Sequence, residues 1–239
     1  MRKSALACGL LASVALSSPV WANADVIKNT SDPNNWAIQM GGYNGHRYSK
    51  LDQINTKNVN TMKVAWQFST GVLRGHEGSP LVIGETMYLH SAFPNNVFAL
   101  NLADENKIIW KYSPKQDPSV IPVMCCDTVN RGVYWANDTI FLGQADNTLV
   151  ALDAKSGKEK WKQVNADPKK GETHTGFLLP VKDKVIMGVS GAEFGVRCHV
   201  TAYAMADGKR LWRAYSMGPD EDILVDPDKT LSLGKPVGK

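Results

Sequence analysis

A phrase ending in tryptophan recurs along this chain at a nearly constant interval, and a chain built this way folds as neighbouring copies of one small unit. Ala151-Leu152-Asp153-Ala154-Lys155-Ser156-Gly157-Lys158-Glu159-Lys160-Trp161 lines up with Ala202-Tyr203-Ala204-Met205-Ala206-Asp207-Gly208-Lys209-Arg210-Leu211-Trp212 after a shift of 51 residues. Ala99 to Trp110 is the same phrase with one residue more. Trp66, preceded by Asn60-Thr61-Met62-Lys63-Val64-Ala65, reads as the tail of an earlier copy 44 residues upstream of Trp110.

Within one period, Pro80 to Ile83, Thr86 to His90, Asn96 to Leu100 and Lys107 to Trp110 are short runs rich in β-branched and aromatic residues, so each predicts a strand. The next period repeats them at Gly132 to Trp135, Thr139 to Leu142, Thr148 to Leu152 and Glu159 to Trp161. A third runs from Phe177-Leu178-Leu179 through Lys184 to Gly188 and Val200 to Tyr203 to Trp212. Four strands per unit is a propeller blade. Gly157 and Gly208 supply the positive-φ turn position before the last strand, and Asn106 does the same in the longer copy. The expected fold is therefore all-β, a β-propeller with about three blades and part of another between residues 25 and 239. Propellers close with roughly 4 to 8 blades, and Ser232 to Gly238 offers no closing strand before Lys239. The sequence thus reads as the N-terminal part of a longer propeller, whose open blade edge would by itself associate or misfold.

Met1-Arg2-Lys3 is a short basic start, Ala5 to Val20 is mostly apolar, and Ala22-Asn23-Ala24 is a small-x-small site, so residues 1–24 are expected to be a secretory signal removed before Asp25. The apolar run is broken by Ser13, Ser17, Ser18 and Pro19 and is short for a membrane span. Export places the mature chain in the periplasm. Losing Arg2 and Lys3 from 27 basic residues leaves 25 against 23 acidic ones, a balance of +2 that argues against nucleic acid or an anionic membrane as partner. With 43% hydrophobic and 21% charged residues, there is material for a sizeable core.

Removing Cys8 with the signal leaves Cys125, Cys126 and Cys198. A disulfide stabilises largely by shortening loops of the unfolded chain, and one between adjacent residues shortens almost nothing while straining the peptide between them. Such a bond at Cys125-Cys126 marks a site, not a staple. The alternative is that each cysteine pairs elsewhere or stays reduced. If the two bond in an oxidising compartment, Cys198 is left as a free thiol or pairs beyond the end of this chain.

The Ala-x-Asp-x-x-x-Gly-x-x-x-Trp phrase around Trp161 resembles the tryptophan-docking motif of the eight-bladed quinoprotein alcohol dehydrogenases, which use pyrroloquinoline quinone (PQQ). Cys125-Cys126-Asp127-Thr128-Val129-Asn130-Arg131-Gly132, His76-Glu77-Gly78-Ser79-Pro80 and Ser190-Gly191-Ala192-Glu193-Phe194-Gly195-Val196-Arg197 resemble that family's cofactor site. The likeness runs from about Arg47 to Lys239 and is greatest to the methanol dehydrogenases. Val196 to Thr201, Gly218-Pro219-Asp220-Glu221-Asp222 and Leu231 to Pro236 look more like the lanthanide-dependent branch than the calcium-dependent one.

The resemblance implies a periplasmic enzyme that oxidises methanol or another primary alcohol to the aldehyde and passes electrons singly to a c-type cytochrome; it leaves a homodimer open. It implies that the Cys125–Cys126 ring forms one wall of the cofactor pocket. Arg131 would donate to the reactive quinone oxygens. Glu77, Thr175 and Ser190 would hold the cofactor rim, and the backbone of Gly191 and Ala192 would allow close approach. Glu193 would ligate the metal, a lanthanide ion or alternatively Ca²⁺. The family's catalytic base and remaining metal ligands fall downstream of these residues, so no catalytic residue is assigned here and the 239-residue chain alone is expected to be inactive.

Each assignment has a plainer competitor. Glu77 and Glu193 could be solvated loop carboxylates, Arg131 could pair with Asp127, and Thr175 could be a turn hydroxyl. His174 reads as a rim residue and not a ligand, and Trp110, Trp161 and Trp212 as packing between blades. Ala204, where the repeat has Asp153, predicts a weakened docking contact. Two other functions compete: a non-enzymatic propeller scaffold of outer-membrane protein assembly, and a quinohaemoprotein with a further haem domain. A scaffold has no use for a strained cysteine ring or a metal carboxylate. No Cys-x-x-Cys-His stands in the sequence.

Overall fold

The computed structural model describes residues 22–237. The expected signal therefore lies almost wholly outside the described residues. A helix, α1 (Ala24–Ser31), opens the described chain, and three antiparallel four-stranded sheets follow, each in the order of its sequence. Blade 1 is β1 (Leu81–Ile83), β2 (Thr86–His90), β3 (Val97–Asn101) and β4 (Lys107–Tyr112). Blade 2 is β5 (Tyr134–Ala136), β6 (Thr139–Gly143), β7 (Thr148–Asp153) and β8 (Glu159–Val164). Blade 3 is β9 (Leu179–Val181), β10 (Lys184–Gly188), β11 (His199–Ala204) and β12 (Arg210–Tyr215). The strands fall where the repeat predicts them.

Blade 2 has neighbours on both faces, and β5, β6 and β7 are buried almost throughout. One apolar core runs through all three blades, from Leu81 and Val97 through Phe141 and Leu149 to Val185 and Tyr203. The outer strands alternate between packed and exposed positions, as half-buried strands do.

The same three features recur in each blade. An alanine of the third strand faces the tryptophan of the fourth, in the pairs Ala99–Trp110, Ala151–Trp161 and Ala202–Trp212. The register slips by one residue immediately after that alanine. The turn before the fourth strand carries a left-handed residue, Asn106 (φ 58°), Gly157 (φ 69°) or Gly208 (φ 73°).

The indole of one blade lies on the turn of the next. Trp110 Nε1 donates to Ala154 O at 3.0 Å and Trp161 Nε1 to Met205 O at 2.9 Å. A Cβ on Gly157 would come 2.5 Å from the Trp110 ring, and one on Gly208 2.6 Å from that of Trp161. Covering an indole removes about 200 Å² from water, worth up to about 5 kcal/mol, against about 1 kcal/mol for its hydrogen bond. Ring burial thus dominates and the hydrogen bond fixes the angle.

Two expectations need correction. Ala204 does not weaken the contact: the acceptor is a main-chain carbonyl, and Trp161 to Met205 is as short as Trp110 to Ala154. Asp153 instead ties its own turn, accepting from the backbone N and hydroxyl of Ser156. The expected earlier copy around Trp66 forms no strand. Residues 62–70 have no sheet partner among the described residues, and Trp66 stays 42% exposed. An isolated outer strand has no ladder to join.

Gly157→Ala places a side chain in a left-handed turn and against an indole, so it is expected to lower the stability of the complete protein by about 1–3 kcal/mol. Chemical denaturation followed by tryptophan fluorescence measures the change.

Candidate functional site

The blade connections converge through backbone pairing rather than through a shared strand. A 3₁₀ turn over Pro118–Val123 starts at Asp117, whose carboxylate accepts from Ser119 N at 2.9 Å. That bond holds the Asp117 carboxyl below the usual carboxylate range. Met124 ends the turn, and Cys125 and Cys126 follow, joined by a disulfide. Cys198 is free. Cys126 (φ 65°) and Asp127 (φ 71°) are consecutive left-handed residues with no glycine. Left-handed backbone at non-glycine residues costs of order 1 kcal/mol each and persists where the surroundings enforce it.

Those surroundings are identifiable. Thr128 O accepts from Phe93 N at 2.9 Å, and Asp127 pairs with Arg74 at 3.2 Å. Asn130, fully buried, donates through Nδ2 to Gly143 O and accepts at Oδ1 from Gly132 N, both at 2.8 Å. Its carbonyl lies 3.0 Å from His90 Nε2, and its backbone bridges His76. The imidazole of His90 fills the space a side chain at Gly78 would need. These contacts bring His76-Glu77-Gly78 against Asn130-Arg131.

The outcome is a polar arc. Arg131 Nη2 pairs with Glu77 Oε2 at 3.0 Å, while Nη1 donates to Thr175 O at 2.8 Å and Thr175 Oγ1 at 3.3 Å. Thr175 Oγ1 lies 3.2 Å from Ser190 Oγ. Four of the residues singled out from the sequence thus form one continuous chain across four loops. Arg131 pairs with Glu77, not Asp127. Thr175 is buried, which excludes a plain surface-turn role.

Thr173 and Ser190 exchange two backbone hydrogen bonds, at 3.1 and 2.8 Å, which set Ser190 beside Thr175. Thr173 Oγ1 also reaches Val123 O at 3.4 Å, tying the turn before the cysteines to the same frame. Gly191 (φ 127°) packs so closely on the carbonyl of Gly171 that no side chain fits there. A 3₁₀ turn over Ala192–Phe194 follows and presents Glu193 to solvent. Glu193 has no ion-pair partner among the described residues. No group of three or more His, Cys, Asp or Glu suited to a metal occurs among them, so Glu193 is one ligand of a set at most. The arc makes no hydrogen bond to the disulfide or to Glu193 among the described residues. A cleft of about 440 Å³ lined by Ile27, Trp36, Tyr43 and Arg47 lies under α1 and involves none of these residues.

His174 is not a rim residue. It is 3% exposed, packs on Gly143, and has Nδ1 3.4 Å from Gly188 O. Burial, with help from the Arg131 charge and against the Gly188 contact, pushes its pKa down to about 4. His90 is likewise pushed down to about 4, chiefly by burial. Asn130 and His90 were not singled out from the sequence. The one available signal was the Asn130-x-Gly132 spacing, which suits a side chain bonding the backbone two residues on.

Below the ordinary histidine pKa of 6.5, the unfolded chain takes up a proton that buried His174 refuses. The His174 contribution to stability is therefore complete above that pH and falls by about 1.4 kcal/mol per pH unit on acidification toward 4. His174→Gln is expected to flatten this slope by one proton, measured as thermal unfolding of the complete protein between about pH 7.5 and about pH 5.

Residues 36–232 match the family described as PQQ: glucose/ethanol/alcohol dehydrogenase, beta-propeller domain. Over 228 residues the chain is 62% identical to a lanthanide-dependent methanol dehydrogenase of Methylorubrum extorquens, covering 95% of this chain and 38% of that protein. It is 47% identical to methanol dehydrogenase [cytochrome c] subunit 1 of Methylobacterium organophilum, covering 94% of this chain and 37% of that one. The structure of a europium-containing methanol dehydrogenase superposes with a TM-score of 0.85 at 54% identity, over 86% of this chain and 36% of the other. The chain thus spans well under half the length of these relatives.

Proposed function

This chain belongs to the PQQ beta-propeller family of glucose, ethanol and alcohol dehydrogenases, and from that premise we propose that it is the amino-terminal portion of a periplasmic methanol dehydrogenase. The proposed reaction is oxidation of methanol or a similar primary alcohol to the aldehyde, with a c-type cytochrome as electron acceptor. Higher identity to a lanthanide-dependent relative than to the cytochrome c subunit relative supports a lanthanide ion over calcium. The observation that carries the reading is the arc Glu77–Arg131–Thr175–Ser190, joined by its frame to the adjacent-cysteine turn.

The residues present fit such a cofactor. A planar polyanion needs a permanent cation, neutral donors and backbone that permits close approach. Arg131, the hydroxyls of Thr175 and Ser190, and Gly191 provide these. When bound, the quinone and its cation would supply a hydride acceptor polarised by a Lewis acid.

This chain's own part is to bind and orient. Arg131 shares its guanidinium with Glu77 and Thr175, both rim residues, which favours a cofactor carboxylate as its partner over the reactive quinone oxygens. Thr175 and Ser190 direct hydroxyls to the same edge. The Cys125–Cys126 ring would offer one wall of the cofactor pocket. Glu193 offers hard carboxylate oxygen to the cation. No proton acceptor is assigned among residues 22–237.

The test uses the complete enzyme. Glu193→Gln is expected to reduce bound metal and to slow dye-linked methanol oxidation by on the order of 10²-fold or more, with the fold unchanged by circular dichroism. Wild-type enzyme purified with neither a quinone absorbance nor a bound metal would sink the reading.

A further inference from the structure

Asn23 is the most heavily engaged residue at the start of the described chain, although the expected signal boundary discards it. It is 3% exposed. Its Oδ1 caps α1 by accepting from Val26 N at 3.1 Å, and its carbonyl accepts from Ile27 N at 3.1 Å. Its Nδ2 donates to Lys182 O at 2.5 Å in the β9–β10 turn and to Asn137 Oδ1 at 3.2 Å in the β5–β6 turn. Its backbone N donates to the Tyr43 hydroxyl at 3.1 Å. One side chain thus pins α1 to blades 2 and 3, and Val26 enters the core behind it.

Cleavage before Asp25 would remove all of this. It would take away the Asn23 partner of the Lys182 carbonyl and of the Asn137 amide, both in turns, and uncap α1. Two residues earlier, Val20-Trp21-Ala22 presents small or compact residues at the two positions a leader peptidase reads. Backbone geometry agrees, because Asn23 is extended (φ −79°, ψ 130°) whereas Ala24 already belongs to α1.

We propose that the Ala22–Asn23 bond is the processing site, and that Asn23 is the first residue of the mature protein. A leader peptidase would hydrolyse this amide with one water, leaving a carboxylate on Ala22 and a new α-amino group on Asn23. That amino group keeps the hydrogen bond to Tyr43. It opens onto a cleft of about 430 Å³ lined by Asp25, Lys182 and Asp183, of which Asp183 already pairs with Lys184 and Asp25 offers counter-charge. The inference does not depend on the proposed catalytic reading.

Intact mass spectrometry of the complete protein recovered from the periplasm is expected to give a chain beginning at Asn23, heavier than the Asp25 form by the mass of Asn23 and Ala24. A start at Asp25, or anywhere else, would overturn the proposal. Ala24→Leu blocks the residue before an Asp25 cut but sits past the Ala22–Asn23 bond. It is expected to be processed as fully as the parent, and accumulation of precursor would count against the proposal. Two complete proteins exported with leaders that fix the start at Asn23 or at Asp25 give a third measurement. The Asp25 form should unfold about 2 °C lower or more, and equal midpoints would remove the structural basis of the idea.

Discussion

The contact between an indole and the turn of the following blade carries the architecture. A four-stranded blade with one apolar face buried has no stability by itself; it acquires it by covering that face with a neighbour. Trp110 and Trp161 do this through ring burial on a glycine and a bond to a carbonyl. The alanine opposite each tryptophan and the slip in register beside it are needed for the same reason. A larger cross-strand residue would crowd the ring, and an unbroken ladder would aim it differently. Local sequence and global packing agree at each of these positions.

The candidate site rests on that frame without being part of it. Its polar residues come from the connections of three blades and are locked by backbone bridges, notably Thr173 with Ser190 and His76 with Asn130. Beneath them lie His90 and His174, buried and neutral near pH 7. Neutral imidazoles fill polar volume without adding charge. The only charges on the arc are therefore Arg131 and Glu77, which oppose each other.

Much of the fold was legible because it repeats. Three copies of one phrase let strands, turns and packing tryptophans be read against each other, down to the left-handed Asn106. The Trp66 copy has no partner strand among the described residues, so its phrase alone does not form one there. Asp153 misled because a residue standing at a fixed distance before the tryptophan need not touch it. At the site, the residues with charge or unusual chemistry were visible: Glu77, Arg131, the cysteine pair and Glu193. The residues that position them were not. Asn130 and His90 act through main-chain carbonyls and tight glycines, and neither kind of partner leaves a mark in the order of amino acids. From sequence the pairing weighed for Arg131 is Asp127, and the His76–Asn130 bridge brings Glu77 to it instead.

The docking contact also has a direction. Both tryptophans that dock among the described residues, Trp110 and Trp161, are donated forward, onto a turn that lies later in the chain. During synthesis and export, such a propeller grows from one end with a single sticky face at its tip, which each newly arriving unit covers while exposing its own. Assembly of this kind keeps the number of unprotected greasy surfaces constant however many units are added, and it places the greatest hazard of mispairing at whichever unit has most recently emerged.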